Sequence, residues 1–495
     1  MHDVDRRSAL KIAALAMMAP GAAALAACSQ QSPAPQAEDT PADSKPQDSS
    51  TPAAPITLEN IRSYVVGIDE PITLEDGSSQ AAIAFDNAAT TPALVPVLEE
   101  VEKSLALYGS IGRGSSQKSD HSAELYQQTR NKVLEFLGAD PEAYTCFYVS
   151  STTDGINKLA SALIESTDGL VLTTRAEHHA NLLPWRERCK VIYAEVDELG
   201  RIKYDDIERL LSENKVKYVS VTAASNVTGY VTDVHRVAKM AHAHGAKIIV
   251  DGAQIVAHRA FSMRGATPEE NIDFFAFSAH KMYAPFGGGA VVGLTEVLNQ
   301  HQPQFYGGGI VRIVGDDWVK YKGAPEVYEA GSPNYLGAVA MGKAIDVLRE
   351  VGFDAIQQHE LELNRRVIDG LLQMDNVIVY GDTVDIDDKV GVVSFNFSDL
   401  NTHVLAKRLA ASYGIATRRG AFCAHPYVWR LMGISDDVAR GFLECVDVNT
   451  AGMIRISFGI YNTLDEVEHF LEILPKAIEQ GKEDAENYSR AQPEY

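Results

Sequence analysis

Seven short, almost wholly apolar runs between residues 146 and 294 constrain this chain more than any other feature. They are Cys146–Val149, Leu170–Thr174, Val191–Ala194, Tyr218–Thr222, Lys247–Val250, Phe274–Phe277 and Ala290–Leu294, and they alternate with helical stretches. A strand buried on both faces reads as a continuous apolar run because neither face meets water. Alternation of such runs with helices predicts a large three-layer α/β domain with a mostly parallel seven-stranded sheet. A smaller α+β domain is expected from about residue 335, with a strand at Val392–Phe397 and a helix at Thr402–Tyr413. The expected division is 57–334 for an N-terminal segment and the large domain, 335–480 for the small domain and 481–495 for a polar, frayed tail.

Ligands of open α/β sheets bind beyond the carboxyl ends of the strands, so polar residues there carry information. Asp251 ends the run Lys247–Val250, and Ser278, His280 and Lys281 follow Phe274–Phe277. Taken singly, Asp251 could just end a buried strand and Lys281 could be a solvated loop lysine. Together they are what a pyridoxal phosphate (PLP) enzyme needs. A lysine amine forms the Schiff base with the cofactor aldehyde, and a carboxylate keeps the pyridine nitrogen protonated so that the ring draws electrons.

Further motifs stand in order around this pair: Phe85-Asp86-Asn87-Ala88-Ala89-Thr90-Thr91, Ser151-Thr152-Thr153-Asp154-Gly155, Glu177-His178-His179-Ala180-Asn181 and Ser225-Asn226-Val227 before it. After it come Glu329-Ala330-Gly331-Ser332-Pro333-Asn334, Arg418-Arg419-Gly420-Ala421-Phe422-Cys423-Ala424 and Arg455-Ile456-Ser457. With this series the chain resembles the class V aminotransferase group of PLP enzymes over roughly residues 83–475, most closely the cysteine desulfurase and selenocysteine lyase branch.

The resemblance implies the PLP-dependent transferase fold type I and a role for each matched residue. Thr152 and Thr153, at a helix start, would hold the cofactor phosphate with Ser278 and His280. His178 would lie over the pyridine face and relay protons, while Asn226 and Gln254 would hydrogen-bond around the phenolic oxygen. Arg455 would clamp the substrate α-carboxylate, which a guanidinium fork matches, with Arg418 assisting. Ser332 would complete the phosphate pocket of a second subunit, which implies a homodimer with shared active sites. Cys423 would attack the substrate sulfur and become a persulfide as alanine leaves. Standing alone, His178 would read as a satisfied loop histidine, Arg455 as a surface arginine and Cys423 as a small buried apolar residue.

The chain also departs from the branch. Many members carry histidines just before the cysteine, where this chain has Ala421 and Phe422, and one near the front, where it has Gly112. The stretch from Cys423 to Arg455 is longer here. Removal of sulfur or selenium from a cysteine-like amino acid is the leading expectation. The alternatives are transamination, epimerisation or C–S lyase chemistry with a structural Cys423, and a lipid-anchored binding protein that has lost catalysis.

Lys and Arg number 44 against 67 Asp and Glu, a net charge of −23, and no basic run suggests a nucleic-acid partner. The triple glycines at 287–289 and 307–309 lack the spacing of a nucleotide loop. His242 and His244 face different sides of a helix end, so no metal is expected. At the front, Arg6-Arg7-Ser8-Ala9-Leu10-Lys11 is a twin-arginine pattern, and the uncharged run Ile12–Ala27 is too short and alanine-rich for a comfortable membrane span. Leu25-Ala26-Ala27-Cys28 resembles a bacterial lipobox, which makes residues 1–28 a signal and Cys28 the lipidated residue. Residues 29–56, rich in Pro, Ser, Ala, Gln and Asp, read as a disordered tether. The expected location is therefore outside the cytoplasm, on a lipid anchor at a bacterial membrane. Cys146, Cys189, Cys423 and Cys445 show no disulfide spacing.

Overall fold

In the computed structural model, residues 54–112, 114–167, 169–441 and 452–491 are described, with backbone alone for 485–491. The twin-arginine pattern, Cys28, the tether as far as residue 53, and Cys445 lie outside the described residues.

All seven apolar runs are strands: β1 Tyr144–Val149, β2 Leu170–Thr174, β3 Lys190–Ala194, β4 Tyr218–Thr222, β5 Lys247–Asp251, β6 Phe274–Ser278 and β7 Gly289–Leu294. They form one sheet in the order β1-β7-β6-β5-β4-β2-β3. The five strands β2 to β6 run parallel, and β7 is antiparallel to both β1 and β6. The register pairs Thr222 with Asp251 and Asp251 with Ala276, which brings the carboxyl ends of β4, β5 and β6 side by side. Because β7 is antiparallel, its first residue Gly289 lies opposite both Ser278 and Val149, and the end of β1 joins the same edge.

Helix α1, Thr152–Leu163, starts directly after β1. Its Ile156, Leu159 and Leu163 pack with Phe147, Ile249, Phe274 and Val291 in one buried cluster. A Cβ on Gly155 would stand 2.6 Å from Val291 Cγ2, so only glycine lets the helix lie this close to the sheet. That approach places the amino end of α1 at the carboxyl edge of the strands.

A second sheet, antiparallel throughout, contains β8 Val377–Tyr380, β9 Val392–Phe397, β10 Arg418–Gly420 and β11 Met453–Ser457 in the order β8-β9-β11-β10. Helices α2 Phe353–Leu371, α3 Thr402–Tyr413 and α4 Leu464–Ala491 cover it, with Leu363, Phe395, Leu409, Ile456 and Phe470 in a common core. Phe85 reaches into that core and meets Phe458 and Phe470 edge-on at 5.4 and 5.9 Å. Residues Ile83–Ala84 run parallel to Ile415–Ala416 as a separate two-stranded sheet, so the chain is tied to the segment just before β10 before it enters the first sheet. From Thr57 onward the chain makes one compact unit, in which helix Tyr335–Val351 begins where the smaller domain was expected.

Of the tail expected to fray from residue 481, residues 481–491 continue α4, and residues 492–495 lie outside the described residues. Side-chain pairs to neighbouring elements hold it: Lys482 reaches Asp399 at 2.6 Å, and Asp484 pairs with Arg408 of α3. Composition showed a polar segment, but the charged partners come from distant parts of the chain.

Candidate active site

At the carboxyl edge of the large sheet lies a cavity of about 220 Å3 whose walls come from both sheets. Thr152, Thr153, His178, Asn226, Asp251, Gln254, Ser278, His280, Lys281, Arg418, Cys423 and Arg455 all line it. Ser332 does not, and stands exposed elsewhere on the surface.

The phosphate-side residues are ordered by hydrogen bonds among themselves. The Thr152 N–H donates to Ser278 Oγ at 2.7 Å, and the Thr152 hydroxyl lies at the same distance from it. Ser151 caps α1 by accepting the Asp154 N–H. The hydroxyls of Thr90 and Thr91 each donate to the His280 carbonyl at 3.1 Å, and Tyr283 N–H donates to Thr91 Oγ1 at 2.7 Å. Thr90 and Thr91 thus brace the loop that carries Lys281. Burial pushes the His280 imidazole down to about 4, helped by the Lys281 charge.

Asp251 is almost fully buried, and the one hydrogen bond of its carboxylate among the described residues is accepted from Ala253 N–H at 2.9 Å. Among the described residues it has no ion-pair partner within 4 Å, and burial raises its pKa. Burial likewise lowers Lys281 to about 8, against the attraction of Asp251, and Arg455 lowers it further. An uncompensated buried carboxylate is costly, so this one is suited to a cationic ligand group.

His178 accepts the Ala180 N–H on Nδ1 at 3.0 Å, so its neutral ring carries the proton on Nε2. Burial pushes its pKa down to about 3, with Lys281 second in effect, and the ring stays neutral at pH 7. Beneath it Glu177 is buried and raised to about 8, accepting from Thr174 Oγ1 and Asn181 Nδ2 at 2.6 Å each. Asn181 Oδ1 in turn accepts from Ser220 Oγ of β4 at 2.6 Å, which ties the His178 loop to the sheet.

Across the cavity Arg455 projects from β11. Its Nη1 donates to Asn226 O at 3.0 Å, its Nη2 to Asp86 Oδ1 at 2.7 Å, and the Phe422 ring lies 4.9 Å beneath the guanidinium. Arg418 of β10 is opposite Arg455 in register and its Nη1 is 3.7 Å from Asp86 Oδ2. Cys423 is exposed, whereas Cys146 is buried and its thiol is pushed up to about 12. Phe422 and Cys423 both have left-handed φ values, +50° and +56°, which L residues adopt only when their surroundings enforce it. Asn226 Nδ2 donates to Phe422 O at 2.8 Å and His179 N–H to Cys423 O at 2.7 Å, which holds the turn. Beyond it the rings of His179 and His425 stack 5.0 Å apart, with His179 Nε2 accepting the His425 N–H at 3.3 Å.

The donor set fits PLP on observations of the chain itself. Among the described residues Asp251 and Lys281 make no ion pair, and two buried atoms of cavity-lining residues, Gln254 Oε1 and Arg455 Nε, have no hydrogen-bond partner. The class-V aminotransferase family model matches residues 83–470. The chain belongs to that family. As a class-V aminotransferase family member it is an enzyme, and its relatives share most of its length. A probable cysteine desulfurase from Halalkalibacterium halodurans is 32% identical over 83% of this chain and 96% of the relative. The cysteine desulfurase of Haloferax volcanii is also 32% identical, over 82% of this chain and 91% of its own. The apo structure of a cysteine desulfurase from Thermococcus onnurineus superposes with a TM-score of 0.75 at 29% identity, covering 86% of this chain and all of that one.

Three contributors to this class-V site were given no role from sequence. Asp86 sits on the guanidinium of Arg455, Phe422 lies beneath it, and the buried pair Glu177–Asn181 supports His178. All belong to the quoted motifs, but only the fold shows what each touches.

Proposed function

We propose that this chain is a PLP-dependent cysteine desulfurase, acting on L-cysteine or a closely related amino acid. The observation that carries the reading is that Cys423, exposed on a strained turn, lines the same cavity as Lys281, Asp251 and Arg455. PLP, when bound, withdraws electrons from the substrate α-carbon and so makes its hydrogen acidic and its sulfur transferable. Asp251 would face the pyridine nitrogen, Thr152, Thr153, Ser278 and His280 the phosphate, and Gln254 and Asn226 the ring oxygen side.

The chain's own residues then account for the rest. Arg455 holds the α-carboxylate with help from Arg418, which fixes the α-carbon over the cavity floor. Lys281, lowered to about 8, gives up its proton readily enough near neutral pH for Nζ to take the α-hydrogen. His178 presents a neutral ring with Nε2–H to the cavity, suited to donating a hydrogen bond there. The Cys423 thiolate attacks the substrate sulfur; a new S–S bond forms, the C–S bond breaks, and its electron pair goes to the carbon fragment. That fragment gains a proton and leaves as alanine, and Cys423 keeps the sulfur as a persulfide.

Two further parts belong to the proposal. Ser332, exposed and away from its own cavity, supports a homodimer in which it serves the partner's phosphate site. The twin-arginine pattern with Cys28 supports export and a lipid anchor, and that export route carries folded proteins, so cofactor could be loaded before crossing. The test is alanine formation from L-cysteine by the PLP-loaded chain beside its Cys423→Ser variant. Alanine that vanishes in the variant is expected; alanine formation unchanged by the substitution would refute the role of Cys423, and none from wild type would refute the desulfurase reading.

A further inference from the structure

Arg455, the residue read above as the carboxylate clamp, already holds a carboxylate of its own chain. Asp86 Oδ1 accepts from Nη2 at 2.7 Å while Asp86 Oδ2 faces Arg418 Nη1 at 3.7 Å. Asp86 is not a side chain that happens to swing there. Its backbone is pinned against β11: Ser457 N–H donates to Phe85 O at 2.7 Å, Asn87 N–H to Ser457 O at 3.3 Å, and Ala88 N–H to Ser457 Oγ at 2.9 Å. The Arg455 side chain is 3% exposed and lines the cavity, while that of Asp86 is 24% exposed, so Asp86 is held against a buried guanidinium that faces the cavity.

A guanidinium has five N–H groups in one plane. Asn226 O takes one at Nη1, Asp86 takes one at Nη2, and Nε is buried without a partner among the described residues. An incoming carboxylate therefore shares the fork with Asp86. Two guanidiniums and one fixed carboxylate leave this end of the cavity a single net positive charge. One substrate carboxylate neutralises it; a second would meet Asp86 with no cation left to offset it.

We infer that Asp86 is a specificity-determining residue that makes the clamp select amino acids with one carboxylate and reject those with two. The inference rests on Arg455 being the carboxylate site. Removing the Asp86 charge while keeping its shape and acceptor oxygen leaves two positive charges there, which a dicarboxylate can use. The affinity ratio of dicarboxylate to monocarboxylate should then rise on the order of tenfold, a value discounted for the half-open setting.

The experiment titrates the cofactor-loaded protein calorimetrically with L-alanine and with L-aspartate, in wild type, Asp86→Asn, Arg418→Gln and Arg455→Gln. Wild type is expected to bind L-alanine more tightly, Asp86→Asn to shift the ratio towards L-aspartate, and Arg418→Gln to shift it the other way. An unchanged ratio in Asp86→Asn, with both ligands still bound and L-alanine binding lost in Arg455→Gln, overturns the role of Asp86 and leaves the clamp reading standing. Full L-alanine binding in Arg455→Gln overturns the clamp reading and this inference with it. Should Asp86→Asn not fold, Arg418→Gln decides, since an unshifted ratio there is incompatible with a charge balance set by Asp86.

Discussion

Replacing Asp251 by asparagine should act in opposite directions on the cofactor-free and cofactor-loaded protein. Without cofactor, Asp251 is a carboxylate about 3% exposed, with a single backbone hydrogen bond and no cation within ion-pair distance among the described residues. Its pKa is raised by burial, so the folded state holds the proton more tightly than the unfolded chain does. Stability is then highest below the unfolded value and declines as pH rises towards and through the raised folded value; above it the full cost is present. Asparagine keeps the shape and the acceptor for Ala253 N–H but removes the charge. The apo protein at pH 8 should gain about 1–2 kcal/mol, which for a chain of this size is a rise in Tm of about 1–3 °C. With cofactor the sign reverses, because a buried pair that loses one partner costs about 3–5 kcal/mol, or roughly two to four orders of magnitude in PLP affinity. Scanning calorimetry of wild type and Asp251→Asn at pH 5 and pH 8, with and without PLP, reads both signs. A lower apo Tm for Asp251→Asn together with unchanged PLP affinity would refute the reasoning, since Asp251 would then be a structural strand end.

Lys281 in the cofactor-free protein should be acylated by an amine-directed reagent with a midpoint near pH 8 rather than near 10.5, as followed by peptide mass analysis; a midpoint above 10 would contradict its burial beside Arg455. His178, at about 3, and His280, at about 4, should show no imidazole titration by NMR between pH 5 and 9 in the apo protein. Their folded pKa values lie below the unfolded one, so their contribution to stability is lost as pH falls from about 6.5 through the folded values. Gly155→Ala should cost about 1–3 kcal/mol by pushing α1 off β7, and Val291→Ala in the same chain should recover part of it, because Val291 Cγ2 is the atom met at 2.6 Å. Equal Tm values for the single and double variants would count against that contact.

The strands were legible because all but the edge strand β3, which is only half-buried, are buried on both faces and so are written as unbroken apolar runs; the runs ended within a residue or two of the observed strands. Strand order was not written there. Nothing in Ala290–Leu294 says that β7 inserts antiparallel between β1 and β6, which depends on how the sheet closes around it. Asp251, Lys281, Thr152 and Arg455 were legible as chemistry, since a carboxylate or amine at a strand end, hydroxyls at a helix start and an arginine in a motif have few uses in common. Twelve of the residues expected at the site do share one cavity.

What sequence could not supply was who stands against whom. Asp86 and Arg455 are 369 residues apart in the chain and 2.7 Å apart in space, and α4 is held at its polar end by Asp399 and Arg408. A sequence specifies periodicity and residue chemistry, both local properties. Ion pairing, burial and the pKa shifts that follow depend on distances between segments that only packing brings together, and so the identity of Arg455's partner was decided by the tertiary structure alone.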